Sequence, residues 1–177
     1  MRGERFVPYI INLVRLIKDL SVKVKKNSDD SVEISDHDKG MAMGYYFIIT
    51  LLKQQAFAVC IDQKELGLAD MKPDEDLLGL HRNPDVDFGE DNWSIDVMTE
   101  EKIHGYLVDS IELLKEQARE AMREASHSTE DERDYNNGSL TAYRLVFSLL
   151  KKQASIFNIA QEDLGLADIE PERDFSL

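Results

Sequence analysis

Apolar residues recur at helical spacing in four stretches of this chain. In the first, Phe6, Ile10, Leu13, Ile17, Leu20 and Val24 advance by alternating steps of four and three, which keeps them on one face. The pattern predicts a helix over about 5–25. Tyr9, Val14 and Leu16 widen the stripe, so this helix is expected to be covered on more than one side. Pro8 falls in its first turn, where a missing N–H donor costs nothing. The second stripe is Met41, Tyr45, Ile48, Leu52, Gln55 and Val59, predicting a helix over about 39–59. The third is Leu107, Ile111, Leu114, Ala118, Ala121 and Ala125. Its helix should start after Thr99 as N-cap, with Glu100 and Glu101 in the first turn, and end near 125. The alanines at its end should admit a close neighbour. The fourth stripe is Tyr143, Val146, Leu150, Gln153 and Phe157, for a helix over 139–157. Polar, acidic stretches at 26–40 and 126–138 read as loops.

The second and fourth stretches open two versions of one sequence. Residues 51–77 and 149–175 align without a gap at an offset of 98, with 14 identities in 27 positions. Chance would give about two, so the chain is an internal duplication. The identities include Leu66-Gly67-Leu68-Ala69-Asp70, Pro73 and Asp76. Asp62 is placed to cap a short turn over 63–66, Gly67 to end it in a left-handed conformation, and Leu68 to fold back on it. Ala160 replaces Asp62 in the second version, and Asn158, which tolerates left-handed geometry, stands where the fourth helix ends. Pro73 and Pro171 should turn the chain into an extended or turning path.

These elements predict an all-α protein: an internal duplication of a helical hairpin plus capping turn, packed as a pseudo-two-fold four-helix bundle. Residues 1–78 form the first helical repeat, 79–98 a linker and 99–177 the second, both sharing one bundle. The linker is rich in Gly, Pro, Asn and Asp, with Val86, Phe88, Trp93 and Ile95 as apolar anchors.

Composition adds charge to this picture. The net charge is −14 over 177 residues. Residues 1–88 hold 12 Lys+Arg against 15 Asp+Glu, a balance of −3, and residues 89–177 hold 9 against 20, a balance of −11. Such a surface repels nucleic acid and anionic lipid and favours basic partners, or keeps the chain soluble. The N-terminal run MRGERFVPYIINLVRLIKDL is interrupted by Arg15 and Lys18 and has no small-residue cleavage site, which argues against export. Arg2, Arg5, Arg15 and Lys18 could face a membrane, but a core helix with a solvated rim accounts for them better. One cysteine, Cys60, allows no internal disulfide and fits a reducing cytoplasm. Ending an apolar helix, it is expected to be buried and inert.

Catalytic chemistry is hard to assemble from these residues. His37, His81, His104 and His127 are scattered, and no pair has ligand spacing. The segment Asp85 to Asp91 resembles a calcium loop but places Gly89 where an oxygen ligand is needed and Glu90 where the glycine belongs. Gln55 and Gln153 lie on the inner stripes, beside Tyr45 and Tyr143, and form a candidate polar core that fixes register or lines a pocket. Glu112, Glu116, Glu120 and Glu124 line the outer face of the third helix, while Asp70, Asp76, Asp168 and Asp174 recur in both repeats. These eight carboxylates are the candidate interaction surface. The pattern points to no enzyme, no cofactor, no metal, no direct nucleic acid and no membrane contact. It suggests a cytoplasmic protein-interaction module of inhibitor, immunity or adaptor type, binding a basic protein, as monomer or homodimer. A charge mimic that occupies a DNA-binding protein, and a small-ligand or enzymatic site inside the bundle, are the alternatives.

Overall fold

The computed structural model describes residues 5–29, 34–80 and 98–175. It contains α1 (Phe6–Asp29), α2 (Asp36–Ala58), α3 (Pro73–Leu78), α4 (Glu100–Ser126), α5 (Arg133–Ile156) and α6 (Pro171–Asp174), with a 3-10 turn at Glu162–Leu164. No strand occurs among the described residues. The linker residues 81–97, with His81, Trp93 and the calcium-like segment, lie outside the described residues.

Three helices exceed the stretch their apolar stripes mark, because polar residues can belong to helix ends. Helix α1 continues to Asp29, and α2 begins at Asp36. Ser35 caps α2 by accepting from the Asp38 N–H at 3.1 Å, and Asp36 and Asp38 sit in a first turn that favours anions. Helix α5 starts at Arg133, six positions before Ser139, so much of the expected second loop is helical. The Glu132 carboxylate closes the turn that leads into it by accepting from the Thr129 N–H and hydroxyl at 3.2 and 2.8 Å, without capping the helix itself. Helix α4 begins as its sequence suggests, with the Thr99 hydroxyl accepting from the Lys102 N–H.

The signature segments also differ from expectation in part. Asp62 accepts from the Lys64 N–H at 2.8 Å, and Gly67 takes φ +72° as anticipated. Of the extended or turning path expected at Pro73 and Pro171, the chain takes the turning one: both open short helices, α3 and α6, at the first helical position where proline fits. Cys60 is exposed, not buried. It adopts a left-handed φ of 54°, matching Asn158 at 53°, and so ends α2 facing solvent.

Helices α1, α2, α4 and α5 share one apolar core in which Tyr9, Ile10, Tyr45, Ile49, Ile103, Tyr106 and Phe147 are fully or almost fully buried. The most extensive contact is between α2 and α5. It depends on glycine: a Cβ on Gly40 would lie 1.9 Å from the Tyr135 carbonyl oxygen, and one on Gly138 would lie 2.0 Å from that of His37. The paired positions differ by 98 within three residues, so α2 and α5 run in the same direction. The closest approach of α2 and α5 is thus made by these glycines and by Gly44 against Ala142.

Candidate functional site

The recurring aspartates are taken up in matching internal contacts. Lys18 on α1 donates to the Gly67 carbonyl at 2.9 Å and to the Asp70 carboxylate at 2.6 Å. Lys115 on α4 donates to Asp168 at 2.9 Å and to Glu112 at 2.8 Å, beside Gly165. The lysine hydrogen bonds hold the carboxyls of Asp70 and Asp168 below the usual carboxylate range. Burial alone would lower the pKa of the Lys115 ammonium, but its two carboxylate partners outweigh that and raise it. Asp76 and Asp174 accept from the backbone N–H of Lys72 and Glu170, fixing the first turns of α3 and α6. Leu66, Leu68, Leu164 and Leu166 are buried beneath these turns. The Leu-Gly-Leu-Ala-Asp signature is therefore a clasp that seals the core.

The polar core residues separate into pairs that are not alike. Gln153 is buried and accepts from the Asn12 amide at 2.7 Å, while Gln55 is only half-buried. Tyr143 donates to Gln117 at 3.3 Å. Tyr45, 98 positions earlier, is fully buried with a hydroxyl that has no partner among the described residues, and burial pushes its phenol up to about 12.

Two other tyrosines carry contacts that sequence reading passed over. Tyr9 on α1 donates to the Leu150 carbonyl of α5 at 3.2 Å, and Tyr106 on α4 donates to the Leu52 carbonyl of α2 at 3.0 Å. Arg5 donates to the Asn158 carbonyl, and Lys102 to that of Cys60. The Glu100 carboxylate accepts from the N–H groups of Arg5, Phe6 and Val7, so α1 and α4 start side by side. The signal for these contacts is an offset of 97, one less than in the second and fourth helices, which aligns Tyr9 with Tyr106 and Ile17 with Leu114.

The outer face of α4 is different in kind. Glu112, Glu116, Glu120 and Glu124 are all exposed. Glu112 pairs with Lys115 and Glu120 with Arg123. The charge of Glu124 adds to the burial that raises the phenol pKa of Tyr135 and Tyr143. A cleft of about 220 Å³ lies between this helix and α6, lined by Arg119, Met122, Asp168, Ile169, Asp174 and Phe175. Among the described residues no three His, Cys, Asp or Glu side chains stand together as a metal site, and no helix is long and apolar enough to cross a membrane. Compared with known proteins, the chain matches no family model, no curated protein sequence and no solved structure.

Proposed function

We propose that this chain is a non-enzymatic, cytoplasmic protein-interaction module whose α4 face docks a basic protein surface. The observation that carries this reading is the line of four glutamates on α4, all solvent-facing on one rigid 27-residue helix. Carboxylates held on a helix steer a basic partner into contact, and a rigid scaffold keeps them aligned. The scaffold is a pseudo-two-fold bundle of two duplicated hairpins. The reciprocal bonds of Tyr9 and Tyr106, of Arg5 and Lys102, and the crossed glycines of α2 and α5 support that arrangement.

The test is capture from a native lysate with the wild-type chain and with a Glu116→Lys, Glu120→Lys variant as baits, followed by association kinetics of the captured partner across salt. Basic proteins should bind the first bait and not the second, with rates that fall as the Debye length contracts from ~10 Å at 0.1 M to ~3 Å at 1 M. Capture and rates indifferent to both salt and reversal would refute the docking role of this face. If the captured proteins bind DNA and duplex DNA competes them off, the charge-mimic reading replaces it.

A further inference from the structure

The two repeats close their last turns differently. In the first, α3 packs against both α1 and α2. Leu77 is buried, Leu78 packs on the core, and Lys25 of α1 reaches to 4.0 Å from where a Cβ on Gly79 would stand. In the second, α6 packs against α5 and, among the described residues, makes no such contact with α4. Phe175, the counterpart of Leu77, stacks on Phe147 of α5 at 5.1 Å. The first repeat lacks that aromatic pair, because Ile49 stands for Phe147. The pair holds the turn on α5, and the cleft of about 220 Å³ is the gap left beside α4.

Size and lining select what fills this gap. A cavity of about 150 Å³ already takes a benzene ring, whereas small-molecule sites begin near about 300 Å³. One side chain therefore fits, and a cofactor does not. Ile169 and Phe175, both buried, form the floor, and Met122, standing where α1 has Lys25, forms a wall. The carboxylates at the rim are engaged already, Asp168 by Lys115 and Asp174 by Arg173 and the Glu170 N–H. An apolar side chain is thus favoured over a charged one. The cleft also adjoins the glutamates. Glu116, Arg119 and Met122, spaced by three, share one ridge of α4, and Glu112 is joined through Lys115 to Asp168.

We infer that the cleft seats one leucine-sized apolar side chain of the basic partner, flanked by lysines or arginines that pair with the α4 glutamates. This rests on the reading of α4 as a docking face and names what else its partner carries. Charge then governs the rate of approach, and the buried anchor governs how long the partner stays.

Two synthetic helical peptides of about 20 residues test this against the full chain. Both are built from alanine and lysine and differ at one central position, leucine or alanine. The leucine peptide should bind about tenfold tighter, because burying the extra carbons of leucine supplies at least that. In methyl-detected NMR, the Met122 and Ile169 signals should shift with the leucine peptide and not with the alanine one. Met122→Lys, which installs the residue of the first repeat, should abolish the difference between the peptides with circular dichroism unchanged. Glu116→Lys with Glu120→Lys should weaken both peptides alike. Peptides that bind equally and weaken together as salt rises would overturn the anchor and leave the charged docking face standing. A preference for leucine that survives Met122→Lys would place the leucine elsewhere and overturn the inference too. Failure of both peptides to bind at about 1 mM would overturn the anchor and the docking face together. Met122 signals that shift when the chain alone is concentrated would make a second copy the occupant, against the inference.

Discussion

Adding one methyl group at three glycines should give effects of opposite sign. Gly40 and Gly138 sit where α2 crosses α5, and Gly105 is an exposed position inside α4 where an added Cβ would meet nothing within 4 Å. Replacing glycine by alanine in a helix interior gains about 0.8–1 kcal/mol from backbone entropy at any of the three. At Gly105 nothing opposes that gain. At Gly40 the new Cβ would start 1.9 Å from the Tyr135 carbonyl oxygen. A comfortable carbon–oxygen contact is about 3.3 Å, so a backbone carbonyl must retreat by about 1.4 Å. Overpacking on that scale costs about 1–3 kcal/mol or more, and here it separates two whole helices, so the upper end applies. Gly138 meets the His37 carbonyl in the same way. For a chain of this size, 1 kcal/mol moves the melting temperature by about 2–4 °C. Gly105→Ala should therefore raise Tm by about 2–4 °C, and Gly40→Ala and Gly138→Ala should each lower it by about 3–8 °C. Thermal melts by circular dichroism, with urea unfolding as a second measure, decide the matter. If all three variants shift Tm upward together, α2 and α5 do not cross at these glycines.

Two further results are expected. Tyr45→Phe removes a buried hydroxyl that has no partner among the described residues and should be neutral or stabilising by up to about 1 kcal/mol, whereas Tyr143→Phe breaks the bond to Gln117 and should cost about 0.5–1 kcal/mol in urea unfolding; equal losses at both sites would mean that the Tyr45 hydroxyl is satisfied. Asp70 and Asp168 have carboxyl pKa values lowered below 3.8, so their contribution to stability is complete above that pH and disappears as pH falls through the lowered values; the Asp70→Asn, Asp168→Asn variant should be less stable than wild type at pH 7 and converge with it at the acid end of the titration, and a gap independent of pH would contradict the role of the two lysine clasps.

The four long helices were legible because their stripes repeat over several turns, and Ile10, Leu13, Ile17, Leu107, Ile111 and Leu114 are all buried where the period places them. Their ends were less legible. Ser35 and Glu132 act through one hydroxyl and one carboxylate in polar surroundings that read equally well as loop. Gly138 looked like a loop residue because glycine is a poor helix former, yet it is kept inside α5 by the closeness of His37. Cys60 was expected inside because apolar residues precede it. Backbone geometry decided otherwise, since the position that ends α2 is left-handed and turns the thiol outward. Nothing in the spacing of Gln55 and Gln153 separates them. Only Asn12, on a different helix, distinguishes the buried amide from the half-buried one.

The recurring residues and the diverging ones divide the molecule by role. Lys53 and Lys151 both donate to the carbonyl of the residue that precedes the last turn, Met71 and Ile169. Asp70 and Asp168 both take a lysine from the neighbouring long helix, Asp76 and Asp174 both fix a backbone N–H, and the paired leucines are all buried beneath them. Positions that recur are thus occupied with holding the fold, and the exposed Ala69 and Ala167 are too small to recognise anything by charge. In the proposed docking role, recognition needs side chains that reach solvent, and the glutamates on the outer face of α4 do so. Between α1 and α4, 97 positions apart, Arg15 stands for Glu112 and Lys23 for Glu120, whereas Asp19 and Glu116 have the same sign, as do Lys26 and Arg123. Charge at these exposed positions is not something that folding requires, because exposed ion pairs contribute little to stability. Substitutions at the shared positions should therefore register in melting, and substitutions at the diverging positions in association.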